Sequence, residues 1–214
     1  MTILITGANR GIGKGLSEAY AGRGETVIAT ARSAEGCTPL DVADPASVSA
    51  LAEGLDGQAI DLLICNAGVY PDKDQSLDTG YPPEMWAEVF AVNVTGVFLT
   101  VQALLPNLSK SAAPKIAIIS SQMGSDTRAP GGSYIYRASK AAALNLGRNL
   151  ATDLRPRGIA VGIYHPGWVR TDMGTEAADI GLDDSVSGLI ARFDALSLET
   201  TGCFETWDGR PHPF

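Results

Sequence analysis

Tyr136 and Lys140 stand four residues apart in Tyr136-Arg137-Ala138-Ser139-Lys140, and a helix would place both side chains on one face. The Ala- and Leu-rich run from Ser139 to Leu154 predicts such a helix. A free phenol ionises near a pKa of about 10 and is a poor acid-base group at neutrality. An adjacent ammonium favours the phenolate, so the lysine would tune and the tyrosine would transfer a proton. Far upstream, Thr6-Gly7-Ala8-Asn9-Arg10-Gly11-Ile12-Gly13 follows an apolar, β-branched run from Met1 and precedes a helical pattern through Leu16, Ala19 and Tyr20. That order is strand, tight turn, helix. Glycines there let the backbone approach a pyrophosphate, and the helix N-terminus adds free N–H donors and a positive dipole end. The spacing Gly-x-x-x-Gly-x-Gly departs from the common Gly-x-Gly-x-x-Gly pattern. A P-loop is excluded, because Ala8 stands where a glycine is required and Lys14 is followed by Gly15. A proton donor beside a dinucleotide turn reads as hydride-transfer chemistry.

The second strand speaks to the choice of dinucleotide. NAD sites place an acid roughly 20 residues beyond the glycines to bind the ribose 2′-hydroxyl, whereas a 2′-phosphate needs a cation. Here Val27-Ile28-Ala29-Thr30 runs into Ala31-Arg32, so the acid is missing and an arginine is present. Arg10, inside the glycine turn, offers a second planar guanidinium. NADP(H) is therefore preferred, with NAD(H) kept open because Glu35 could act as a displaced ribose ligand.

Further segments fall in register with these two. Cys65-Asn66-Ala67-Gly68, Asn93-Val94-Thr95-Gly96, Ser120-Ser121 and Pro166-Gly167-Trp168-Val169-Arg170-Thr171, in this order with the glycine turn and the Tyr136/Lys140 pair, resemble the short-chain dehydrogenases/reductases over essentially the whole chain. The segments around Tyr136 and Pro166 look most like the small carbonyl reductases of the C-factor and sniffer kind. The resemblance implies a catalytic set of Asn93, Ser121, Tyr136 and Lys140, with Ser120 as a possible substitute because the loop from Gln122 to Ser133 is longer than the common form. It implies a cofactor site of Gly7, Asn9, Arg10, Gly11, Ile12, Gly13 and Arg32 at one end, with Asp41 and Val42 against the adenine. Asn66, Ala67 and Gly68 would line its middle, and Tyr136, Lys140, Pro166, Gly167, Val169 and Thr171 its nicotinamide end. The implied reaction interconverts an aldehyde, ketone or quinone with an alcohol. A nucleotide-binding sensor with little turnover is the alternative. Family habit also leaves open a homodimer or homotetramer through the two long helices.

Those residues must be carried on a frame, and the chain alternates strand and helix patterns. Strands are expected at Thr2–Thr6, Thr26–Thr30, Leu62–Cys65, Lys115–Ser120, Ala160–Tyr164 and Gly202–Trp207, with a short one through Pro39–Val42. Helices are expected at Gly13–Gly22, Ala46–Gly54, Glu84–Leu108 and Ser139–Arg155. The reading is α/β: a single-domain, doubly wound parallel sheet of about seven strands, covered on both faces, with ligand at the carboxyl ends of the strands. A short, glycine-containing lid is expected at about residues 172–198, where Trp168, Met173, Tyr134 and Met123 could line an apolar pocket. With 214 residues and 45% hydrophobic content, one full core can be buried. The net charge of −8 disfavours a nucleic-acid groove. The reading finds no apolar run able to span a membrane and no basic leader before the first strand, so a cytoplasmic enzyme acting on small molecules is expected. Cys37, Cys65 and Cys203 form no Cys-x-x-Cys, and His165 and His212 stand far apart, so no disulfide or metal site is expected.

Overall fold

The computed structural model describes residues 1–174 and 177–214. Seven parallel strands form one sheet in the order β3-β2-β1-β4-β5-β6-β7. They are β1 (Thr2–Thr6), β2 (Thr26–Ala31), β3 (Thr38–Pro39), β4 (Leu62–Cys65), β5 (Lys115–Ile119), β6 (Ala160–His165) and β7 (Phe204–Thr206). The order runs outward in one direction from β1 and in the other from β4. The crevice between their carboxyl ends is thus the topological switch point, where such sheets bind ligands.

Both faces are covered, which is why the central strands are apolar throughout rather than alternating with polar residues. Along β1, Leu4 points to one face and Ile3 and Ile5 to the other. On Leu4's side lie α2 (Pro45–Gly54), α4 (Gly96–Leu108) and the C-terminal half of α5 (Tyr134–Leu154), through Val48, Leu51, Val101, Leu104 and Leu154. On the opposite face lie α1 (Gly11–Gly22) and α6 (Leu182–Ala195), through Leu16, Tyr20, Leu189 and Phe193.

Several expectations are corrected. The short third strand stops at Pro39, because Asp41 turns the chain: its carboxylate accepts from Ala43 N at 2.9 Å and its own N–H donates to Ser47 Oγ. The proline is tolerated because β3 is an edge strand. The last strand is shorter than Gly202–Trp207, and α5 starts at Tyr134 rather than Ser139, which puts Tyr136 in its first turn. The expected long helix is two, α3 (Pro83–Phe90) and α4, joined by a π-helical turn over Ala91–Thr95, and Pro106 lies inside α4's last turns rather than at its end.

The membrane reading also needs correction. No charged residue occurs from Val89 to Ser109, and Pro83–Leu108, with a mean hydropathy of 1.7 in its most apolar window, is long and apolar enough to span a bilayer. In the fold, Val97, Val101, Leu104 and Leu108 from this run pack into the core. The expected lid differs most: Leu182–Ala195 is a core helix, so only the preceding loop can serve as a cover. Residues 175 and 176 of that segment lie outside the described residues.

Candidate active site

The glycine turn is locked to the end of β4. Thr6 Oγ1 accepts from the N–H groups of Asn66 and Ala67 at 3.0 Å, and Asn66 Nδ2 donates to the carbonyls of Thr6 and Gly7. Gly7 has a φ of 68°, a region open to glycine. A Cβ on Gly13 would stand 2.3 Å from Gly7 O and 2.5 Å from Asn66 Nδ2, so the close approach admits no side chain. No side chain caps the N-terminus of α1, so its first N–H groups are left free to meet an anion.

A cleft of about 330 Å3 runs from this turn across the switch point. Gly7, Asn9, Arg10, Gly11 and Ile12 border it near α1, and Arg32, Asp41 and Val42 border it beyond β2. Asn66, Ala67 and Gly68 line its middle; Tyr136, Lys140, Pro166 and Thr171 line the far end. Gly13, Gly167 and Val169 do not border it. Gly13 is enclosed under the turn, Gly167 packs against Ile180 and Trp207, and Val169 is buried in a bridge to Ile180. The sequence reading missed Leu40, Val69, Val92, Ile119 and Asp172 on the cleft wall; as apolar core or loop residues they carried no chemical signal. Arg10 spans the opening to Asp172 at 3.0 Å, with both side chains largely exposed.

At the far end Tyr136 and Lys140 are both buried, one helical turn apart on α5. Lys140 Nζ donates to Ile119 O at 2.9 Å and lies 5.6 Å from the centroid of the Tyr136 ring. Ser121 Oγ accepts from Met123 N at 3.1 Å, and its hydroxyl exerts a lowering influence on the Tyr136 phenol. Ser120 borders the cleft, but its hydroxyl is committed to Lys140 O at 3.1 Å. Neither Ser121 nor Asn93 borders the cleft itself.

The electrostatic balance corrects the expectation of a phenol lowered by its lysine. Burial pushes the Tyr136 phenol well above its ordinary value, Ser121 partly opposes this, and the neighbouring Tyr70 and Asp72 raise it further. Burial also pulls Lys140 down to about 8. The amine points to a backbone carbonyl rather than to the phenol.

Asn93 lies in the π-helical turn and is buried. Its Oδ1 accepts from Val69 N at 2.9 Å, and its Nδ2 donates to Val69 O and to Ser139 Oγ at 3.0 Å. It therefore ties the bend to both the loop after β4 and α5. From that same loop come Tyr70, stacked on Tyr136 at 4.1 Å, and Asp72, whose Oδ2 accepts from the N–H groups of Ile135 and Tyr136. These two were missed: Val69-Tyr70-Pro71-Asp72 has no periodicity, and their partners lie more than sixty residues away. Cys65 is a buried thiol raised to about 12, as expected of a core residue.

Residues 1–180 match the short chain dehydrogenase family. The chain belongs to that family. This short-chain dehydrogenase is 38% identical to the C-signal protein of Myxococcus xanthus over 156 residues, covering 72% of this chain and 93% of the relative. Its fold superimposes on an NADPH-bound carbonyl reductase from chicken fatty liver with a TM-score of 0.89 at 31% identity, covering 100% of this chain and 98% of the other. On the carbonyl reductase Sniffer of Drosophila melanogaster the TM-score is 0.93 at 27% identity, covering 100% and 99%. The short-chain dehydrogenase is thus an oxidoreductase-family protein similar to carbonyl reductases, as its motif order implied.

Proposed function

We propose that this protein is an NADP(H)-dependent reductase that interconverts a carbonyl and an alcohol, with Tyr136 as the acid-base group. The observation that carries the reading is that Tyr136 and Lys140, buried and one helical turn apart, line one end of a single cleft whose other end is bordered by the glycine turn. Bound NADPH supplies the hydride. Tyr136 donates its proton to the substrate oxygen, and Ser121, whose hydroxyl lowers the phenol, would hold that oxygen. Ser120 is the weaker candidate because its hydroxyl is occupied. Lys140 and Thr171, both on the cleft wall, would hold the nicotinamide ribose and the carboxamide. Asn93 keeps the loop after β4 and α5 in register.

The residues fit a phosphorylated dinucleotide on this chain's own terms. The glycine turn admits a pyrophosphate at an uncapped helix end. Arg10 and Arg32 border the part of the cleft where a 2′-phosphate would lie, while Glu35 does not border it. The NADPH-bound carbonyl reductase similar to this chain supports the same choice. Asp41 and Val42 would flank the adenine. The substrate would enter past Trp168, Met173 and Tyr134, whose partly exposed apolar surfaces suit an apolar or aromatic carbonyl.

Titration with NADPH and NADH, followed by aldehydes, ketones and quinones monitored through nicotinamide absorbance, tests the reading. NADPH binding with turnover supports it; absence of binding sinks it. The similarity to C-signal keeps a second reading, a nucleotide-binding signalling protein, which predicts binding with no turnover on any carbonyl.

A further inference from the structure

We propose that Asp72 is a positioning residue for Tyr136, acting on the first turn of α5 from the loop after β4, with Tyr70 bracing the ring from the same loop. The inference rests on the reductase reading of Tyr136 and deepens it. Asp72 is fully buried, and its Oδ2 accepts from Ile135 N at 2.9 Å and Tyr136 N at 3.2 Å. These are first-turn donors, which have no partner inside the helix. The residue before the helix, Ser133, gives no side-chain cap and stands at a φ of 49°, a strained setting for a non-glycine residue. Its hydroxyl is held by the Tyr70 hydroxyl at 2.5 Å, and the Tyr70 ring stacks on Tyr136 at 4.1 Å with an interplanar angle of 24°. Asn93 pins Val69, immediately before Tyr70, by its N–H and its carbonyl. The start of the helix is therefore built from outside, through residues 69–72, and Tyr136 takes its place from them.

The use of a carboxylate is informative. A neutral acceptor would satisfy the same two donors, and Asp72 Oδ1 has no hydrogen-bond partner among the described residues. What the carboxylate adds is negative charge close to the phenol. The groups facing Tyr136 are Lys140 on α5, Ser121 after β5, and Tyr70 and Asp72 from the loop; of the titratable ones, Tyr70 and Asp72 both raise the phenol. Asp72 thereby adds to burial, the larger effect, in keeping Tyr136 loaded with the proton that reduction consumes, while Ser121 opposes them.

Asp72→Asn separates these two effects, since the amide oxygen can still accept from the helix N–H groups but carries no charge. The variant is expected to melt close to the wild type and to bind NADPH with unchanged affinity. The basic limb of its kcat profile should move to lower pH by about half a unit or more, because removing a neighbouring negative charge lets the phenol ionise earlier. Asp72→Ala removes the acceptor as well, and its kcat should fall tenfold or more with the NADPH Kd unchanged. Should Asp72→Ala fail to fold, Asp72→Asn decides alone. A profile for Asp72→Asn that superimposes on the wild type overturns the proposal. If the wild type turns over no carbonyl, it is the reductase reading that fails. The positioning claim is then settled by NMR titration of 13Cζ-tyrosine in the NADP-bound protein, with Tyr136→Phe assigning the resonance. Ionisation of Tyr136 beginning at lower pH in Asp72→Asn upholds it, and an unchanged onset refutes it.

Discussion

The proposed chemistry rests on Tyr136 because, among the described residues, it is the one buried phenol that lines the cleft. Replacing it by Phe deletes only the hydroxyl, so the ring remains stacked on Tyr70. The expected outcome is a kcat reduced about a thousandfold with NADPH affinity intact, in line with the usual worth of a general acid; steady-state kinetics beside a fluorescence titration checks both halves. Lys140 makes a separate prediction about stability. Its folded value of about 8 lies below the ordinary lysine value of about 10.4. Between those limits the folded state gives up its proton first, so the unfolded state binds more protons and stability rises with pH. The gain over that window is about 3 kcal/mol. Above pH 9 the raised Cys65 thiol and Tyr136 phenol act in the opposite sense. The informative quantity is therefore wild type minus Lys140→Met. That difference should grow between pH 8 and 10 in denaturant unfolding of the free protein, and a flat difference would contradict the burial of a charged amine. The pair itself was legible in the sequence from its spacing, but the balance of charges was not. Burial and the choice of Ile119 O as the lysine's partner depend on how α5 lies against β5, which no local pattern encodes.

At the scale of elements, the bend in the Pro83–Leu108 helix and the loop after β4 act as one unit. Asn93 spends its whole amide on Val69 and Ser139. In Asn93→Ala the half-buried N–H and carbonyl of Val69 lose their partner, a cost of about 1 kcal/mol or more for the unsatisfied groups. Urea denaturation should register that loss, and kcat should fall with it because Tyr70 and Asp72 are carried by the same loop. A variant as stable and active as the wild type would show that the π-helical turn, not the amide, fixes this region. The family resemblance marked Asn93 as the asparagine that bends the long helix, although Ala91-Val92-Asn93-Val94-Thr95 by itself reads as ordinary helix. Element boundaries failed for definable reasons. Tyr134 to Ala138 joined α5 only because Asp72, distant in sequence, caps it. Leu182–Ala195 has its apolar residues at Val186, Leu189, Ile190 and Phe193, the period of a helix face, yet Gly181 and Gly188 read as loop punctuation. The tight fit of the glycine turn, by contrast, was fully legible. Gly13→Ala would drive a methyl against Gly7 O, and NADPH binding should be lost in a titration.

For the molecule as a whole, the doubly covered parallel sheet was readable from the alternation of patterns, whereas its strand order, β3-β2-β1-β4-β5-β6-β7, came from the structure. The cofactor preference is also a whole-molecule question. The chain carries a net charge of −8, so a multiply charged dinucleotide approaches an unfavourable field and must be held by local cations and the end of α1. Arg10 and Arg32 both border the cleft, and Arg10 must leave Asp172 to reach a phosphate. That exchange is inexpensive, since an exposed ion pair is worth about 0–1 kcal/mol. A ligand bridging the two halves of the sheet at 100 times its Kd stabilises by about 2.7 kcal/mol, which for a domain of this size raises Tm by about 5–10 °C. At equal concentration NADPH should therefore raise Tm more than NADH, with the excess shrinking as salt is added. The double variant Arg10→Ala/Arg32→Ala should lose that excess while keeping the smaller shift with NADH, because the pyrophosphate site on α1 is untouched. If NADH stabilises the wild type as strongly as NADPH, the two arginines are surface charges and the dinucleotide is chosen elsewhere in the cleft.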